Sequence, residues 1–239
     1  MTTSHDVLPF QSPCTFMISG ATQSGKTTFV MKLLKHVTAM FKTPPVQTVY
    51  CYTEFQPVFD QAEKNIPNFI LHEGFPTRSD LMEWTNPDKH TLLVLDDMMR
   101  LISKSDEALH LATALSHHRN CSVIFITQNL FEKGTHFRSI SLNTHIFVLM
   151  ANNRDKKQLI AFASQAFPGE TKYFKDAYDK AINCVSVGGY RADSYVLRYF
   201  QVMTSPLYMP QSNKTVTSKR KAPVDKQYAV EYHVIQYIS

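Results

Sequence analysis

The chain has 239 residues, of which 44% are hydrophobic and 19% charged, with a formal net charge of +5. That length suits one α/β domain of ordinary size, whose core needs neither disulfide nor metal staples, and the composition excludes an extended disordered polymer. The mild positive charge is compatible with a polyanionic partner without requiring one.

In chain order, the start from Met1 to Asp6 is polar and carries no apolar signal segment, which sets the expectation of a soluble intracellular protein with no membrane partner. The first predicted strand, Cys14 to Ile18, runs into Gly20-Ala21-Thr22-Gln23-Ser24-Gly25-Lys26-Thr27, a complete GxxxxGK[ST] loop that uses two of only seven glycines. Such a loop grips phosphates with converging backbone N–H groups. Lys26 reaches the β and γ oxygens, Thr27 offers a hydroxyl to Mg²⁺, and Thr28 completes the nucleotide-binding stretch. Phe29, Val30, Leu33, Leu34, Val37, Met40 and Phe41 then fall on one face of a helix, so the loop has the strand–loop–helix setting it needs.

A second strand, Gln47 to Tyr52, follows Pro44 and Pro45. The proline-punctuated stretch 54–90 reads as connecting structure, with one edge strand at Phe69-Ile70-Leu71 and a short helix capped near Thr77 or Ser79. Leu92 to Leu95 is apolar throughout, as a strand buried on both faces should be, and it runs straight into Asp96-Asp97. A helix is expected from about Asp106 to His117, then a buried strand Ser122 to Ile126 ending in Thr127-Gln128-Asn129, and another from His145 to Met150. Two helices, Lys156 to Phe167 and Thr171 to Asn183, flank Pro168-Gly169. A hairpin-like segment follows from Val185 to Val202 with Gly188-Gly189 at its turn. Strands alternating with helices predict an α/β fold with a mainly parallel central sheet. The organisation expected is an N-terminal extension (1–12), a P-loop domain (13–205) and a basic, flexible tail (206–239) with room for a terminal strand.

The four cysteines, Cys14, Cys51, Cys121 and Cys184, form no CxxC pair. Three lie in predicted strands and read as small core hydrophobes of a reducing compartment. His117 and His118 are adjacent, point to different faces, and have no Cys or carboxylate partner nearby, so zinc is not indicated.

A phosphate loop binds ATP without orienting a water, so a second element is required. Asp96 is positioned to hold Mg²⁺ through a water and Asp97 to polarise the attacking water, because open parallel sheets place ligands at the C-terminal ends of their strands. Gln128, ending the next buried strand, is the sensor candidate, with simple turn capping as the alternative. A cation that neutralises γ-phosphate charge arrives from the neighbouring subunit in ring motors. Arg119 is the first candidate, with Arg138 and Arg154 as alternatives. Basic groups at Lys133, His136 and Arg138, at Arg154, Lys156 and Lys157, and at Lys219 to Lys221 lack interleaved aromatics. Any grip on DNA would therefore fall on phosphates and be sequence-neutral.

The P-loop, the Leu-Asp-Asp pair and above all Ser116-His117-His118-Arg119-Asn120-Cys121-Ser122-Val123-Ile124-Phe125-Ile126-Thr127-Gln128-Asn129-Leu130-Phe131 resemble the poxvirus-type genome-packaging ATPases. These occur in double-stranded DNA viruses, including adintovirus, adomavirus and Maverick/Polinton-like elements, and belong to the FtsK/HerA superfamily of P-loop (RecA/FtsK-like ASCE) NTPases. Arg138 to Asn143 followed by a strand and Asn153-Arg154-Asp155 is similar to the same family, and the likeness covers roughly residues 13 to 200. It implies a homo-oligomeric ring, pentamer or hexamer, that threads double-stranded viral DNA into a preformed capsid with ATP and Mg²⁺. It also implies capsid proteins as partners and a location in the host nucleus, at the virus assembly site or in the virion. Lys26 and Thr27 carry over as phosphate and Mg²⁺ contacts, Asp96 and Asp97 as the acid pair and Gln128 as sensor. Most of the superfamily has Glu at the place of Asp97, although the poxvirus-type branch often shows two aspartates.

Three other readings compete. A nucleotide kinase would need an arginine-rich lid, which does not follow the sensor strand, and a GTPase would need an Asn-Lys-x-Asp signature, which is absent. A non-catalytic nucleotide switch or capsid scaffold would keep the loop and lose turnover at Asp97.

Overall fold

In a computed structural model, residues 9–103, 109–110, 118–131, 136–150, 152, 155–183 and 234–235 are described. Arg154, Lys133, Cys184, Lys219 to Lys221, the hairpin expected at 185–202 and nearly all of the helix expected at 106–117 lie outside them.

The strands are β1 (Thr15–Ser19), β2 (Gln47–Tyr52), β3 (Phe69–Glu73), β4 (Thr91–Asp96), β5 (Cys121–Thr127), β6 (Ile146–Leu149) and β7 (Val234–Ile235). They form one sheet in the order β3-β2-β4-β5-β1-β6-β7, and every pairing is parallel. The fold is therefore the expected α/β P-loop architecture, with Phe69 to Leu71 in an edge strand as read from sequence. The two residues of β7 belong to the C-terminal segment and lie beside β6.

Every residue of β1, β4, β5 and β6 is buried, which explains why these stretches are apolar without alternation. Phe16, Ile18, Leu92, Val94, Ile124 and Ile126 face one layer; Met17, Leu93, Leu95, Val123 and Phe125 face the other. The first layer holds α1 (Lys26–Lys35), α2 (Val37–Met40) and α3 (Val58–Asn65). The second holds α4 (Arg78–Trp84), α5 (Met99–Ile102), α6 (Phe137–Leu142), α7 (Lys156–Ala166) and α8 (Thr171–Asn183). Truncating a fully buried ring such as Phe16 or Phe125 to Ala costs about 3–5 kcal/mol. Among the described residues no helix is long and apolar enough to cross a membrane.

Two local readings need correction. The helix after the loop stops at Lys35, and Val37 to Met40 forms a separate turn, with Phe41 extended (φ −109°, ψ 142°). The cause is tertiary: Phe41 pairs with Phe10, and its ring meets Phe16 at 6.1 Å and His90 at 5.0 Å. In addition, α3 occupies part of what read as connection. It is only eight residues long, starts after Pro57, and buries just Phe59 and Ala62, too little periodicity to stand out. The capping reading near Thr77 is met: Thr77 and Asp80 form a capping box at the start of α4.

The N-terminal ends of β1, β4 and β5 are tied by a buried polar node. His90, 1% exposed, donates from Nδ1 to Thr43 O (2.7 Å) and accepts at Nε2 from the Ser122 hydroxyl (2.8 Å), which itself accepts from Cys14 N (3.0 Å). The carbonyl can only accept, and this fixes the tautomer. Burial lowers the His90 pKa, against an opposing effect of the Thr43 contact. Because the unfolded chain binds the proton more readily, this contribution is intact above about pH 6.5 and is lost as pH falls below it. Thermal melts of the wild type should therefore drop between pH 7 and 5.5, and His90→Gln should flatten that slope; parallel slopes would remove His90 as the cause.

Candidate functional site

The site follows from strand register. Ser19 of β1 is level with Thr127 of β5, and Asp96 of β4 is level with Ile126. Because β5 lies between β1 and β4, the phosphate loop, Gln128 and the acid pair meet along one C-terminal edge, the edge where open parallel sheets bind ligands. Two further backbone bonds, Gly20 N to Thr127 O (3.2 Å) and Asp97 N to Ile126 O (3.1 Å), extend the ladder past the strand ends.

The loop residues Gly20, Ala21, Thr22, Gln23, Ser24 and Gly25 turn tightly, with Gln23 at φ 64° and Gly25 at φ 86°. A β-carbon at Gly20 would stand 2.4 Å from Met150 Cβ and 2.7 Å from Ser24 Oγ, so no other residue fits there. Helix α1 begins at Lys26 without a side-chain cap and without an acidic residue in its first turn. Its first N–H groups, at Lys26, Thr27 and Thr28, have no intrahelical acceptors, and with the positive end of the helix dipole they offer an anion seat. Lys26 Nζ donates to Gly20 O and Ala21 O, both at 2.8 Å, bending back over the loop. Burial pushes its pKa down, while Asp96 and Asp97 pull it up. Ser24 Oγ is buried with no hydrogen-bond partner among the described residues, an orphan that a phosphate oxygen or water in the cradle would satisfy.

The two aspartates occupy unlike surroundings. Asp96 is 7% exposed and accepts at Oδ2 from the buried Tyr50 hydroxyl (2.7 Å); the Thr27 hydroxyl beside them holds both pKa values down. Burial raises the Asp96 pKa; Tyr50, Lys26 and Thr27 hold it down, and Asp97 pushes it up. Asp97 is exposed, adopts φ 56°, and accepts at Oδ2 from Gln128 Nε2 (2.8 Å). Thr22 Oγ1 donates to Gln128 Oε1 at 3.5 Å, so Gln128 spans from the acid pair to the loop. Thr27 Oγ1 and the Asp96 carboxylate are hard oxygen donors, an appropriate pair for Mg²⁺, which takes one or two protein oxygens and keeps its waters.

The sequence reading thus placed Lys26, Thr27, Asp96, Asp97 and Gln128, and the fold brings them together. Asn129 turns back on its own strand, its N–H donating to Thr127 Oγ1 at 3.3 Å. Arg119 stands at the other end of β5, where Nε donates to Thr85 Oγ1 (3.0 Å) and Nη2 to Met82 O (3.0 Å) and Thr85 O (2.5 Å), closing the C-terminal end of α4. That end of the sheet is opposite the phosphate loop. Arg138 is exposed on α6, without a hydrogen bond or ion pair among the described residues. Sequence reasoning missed Tyr50, because its relation to Asp96 depends on β2 lying beside β4 in the register Tyr50↔Val94. Cys14, Cys51 and Cys121 are buried free thiols, and burial pushes Cys14 and Cys121 up to about 12, so none is a nucleophile.

No family model matches the sequence, and no curated protein matches it. Among solved structures, the chain is similar to the genome packaging NTPase B204 from Sulfolobus turreted icosahedral virus 2 in complex with sulfate (12% identity, TM-score 0.48, 68% of this chain and 86% of that one). The same protein in complex with AMP gives 11% identity, a TM-score of 0.48, and 68% and 87% coverage. The cytoplasmic domain of EssC gives 10% identity and a TM-score of 0.40, over 91% of this chain and 41% of that one. At such identities and scores nothing of their function transfers.

The burial that raises Asp96 makes its charge a cost to the fold at neutral pH: the protonated form is favoured below about pH 3.9, and that stability is lost as pH rises through the folded pKa. Asp96→Asn, which keeps an acceptor for Tyr50, should melt higher than wild type at pH 7.5 by roughly a few degrees. A lower melting point would show that the charge stabilises the fold.

Proposed function

We propose that this protein is an ATP-driven motor that translocates double-stranded viral DNA into a preformed capsid. The observation that carries the ATPase half is the Gln128 bridge, which joins Asp97 and the phosphate loop into one composite site. The DNA half rests on the resemblance of Ser116 to Phe131 to packaging ATPases.

In this mechanism the N–H groups of the loop and of the first turn of α1 receive the phosphates. Lys26 exchanges its two loop carbonyls for phosphate oxygens, and Thr27 and Asp96 would hold Mg²⁺, which would supply neutralising charge to the phosphates. Gln128 transfers its amide from Asp97 to the γ-phosphate, which frees Asp97 to accept the proton of the attacking water. The same exchange makes Gln128 a reporter of whether the γ-phosphate is present.

The working form is a homo-oligomeric ring, pentamer or hexamer, around duplex DNA, with capsid proteins as partners at the assembly site or in the host nucleus. Exposed Lys156 and Lys157 supply sequence-neutral phosphate contacts. For the cation acting in trans, Arg138 is free of the local duty that occupies Arg119.

ATP hydrolysis measured with and without duplex DNA tests the motor. Wild type should be stimulated by DNA, and Lys26→Ala should abolish turnover; no activity above the Lys26→Ala background would sink the proposal. ATP binding without turnover in either condition would instead identify a nucleotide switch. Doping inactive arginine variants into wild type tests the shared site. Activity should fall faster than dilution with Arg138→Ala, whereas Arg119→Ala should chiefly lower the melting temperature; simple dilution with both would argue against a trans arginine.

A further inference from the structure

We propose that Tyr50 is a positioning residue for the metal-binding carboxylate: its buried hydroxyl fixes the Asp96 side chain so that the other carboxylate oxygen and the Thr27 hydroxyl present one ready-made Mg²⁺ site. This rests on the reading of Thr27 and Asp96 as the Mg²⁺ ligands.

The placement is set by the sheet. Tyr50 pairs with Val94 across β2 and β4, and Asp96, two residues further on, points to the same face. The Tyr50 side chain is 0% exposed and reaches Asp96 Oδ2 at 2.7 Å. Its ring is clamped by Phe59 at 5.0 Å and Phe69 at 6.1 Å, so the hydroxyl has little freedom to leave. In this aromatic cluster a phenylalanine would fill the same volume with no polar atom to desolvate. Packing therefore asks for the ring and not for the oxygen. The hydroxyl serves the carboxylate, a charge-assisted bond of the strong kind. With Oδ2 occupied, the rotation of Asp96 is fixed before any ligand arrives.

The experiment is binding of a fluorescent ATP analogue to the full chain, once with excess Mg²⁺ and once with EDTA. Wild type should bind more tightly with the metal. Tyr50→Phe should lose about tenfold of that gain while its affinity in EDTA stays unchanged, and 3-fluorotyrosine at position 50 should restore the gain. Asp96→Asn should lose the gain entirely, and adding Tyr50→Phe to it should change nothing more. An undiminished Mg²⁺ gain in Tyr50→Phe overturns the proposal, as does an equal loss in both arms or a failure of that variant to fold, because either assigns the hydroxyl to the fold. If wild type itself gains nothing from Mg²⁺, the metal-site reading fails first, and the two failures are told apart.

Discussion

Two backbone hydrogen bonds, Gly20 N to Thr127 O and Asp97 N to Ile126 O, carry the parallel ladder past the ends of β1 and β4. They are the constraint on which the site depends, since they fix the loop, the end of β5 and the acid pair at one height. Parallel strands a few ångströms apart have no independent way to shift, because each is buried on both faces and paired on both sides. Rigid core strands thus set the distances within the site: Asp96 ends β4, Asp97 and Gln128 directly follow strand ends, and Lys26 and Thr27 open α1.

That arrangement is bought with some stability. Asp96 is desolvated, Asp97 holds a left-handed backbone without being glycine, and Ser24 leaves a buried oxygen unmet. All three lie at the C-terminal edge of the sheet, while the opposite edge carries left-handed residues of its own at Asn68 and Asn120. There His90, Ser122 and Cys14 N satisfy one another, and Arg119 closes α4. What separates the two ends is polar satisfaction: the opposite edge closes its buried hydrogen bonds within the fold, and at the C-terminal edge Ser24 Oγ has no partner among the described residues.

Most of this was legible in the amino-acid order where the signal is local. Apolar runs without alternation announced β4 and β5, and glycine spacing announced the loop, because burial and turn geometry act within a few residues. The acid pair and Gln128 could be placed at one edge because every parallel strand must end there. What depends on partners across the sheet could not be read. The break after Lys35 is imposed by Phe41 meeting Phe10, Phe16 and His90, and α3 is too short to show its period. Tyr50 looked like any strand aromatic until its register beside Val94 was known. The duty of Arg119 likewise lies with Met82 and Thr85, more than thirty positions away.

The self-engaged lysine has a consequence for ligand choice. Lys26 already has two carbonyl acceptors, so an incoming anion must replace both to gain anything from it. A single weakly charged oxygen offers too little in exchange, while a polyphosphate reaches the ammonium and the helix terminus at once. An ammonium and a helix terminus side by side thus favour dense anionic charge over small monovalent anions.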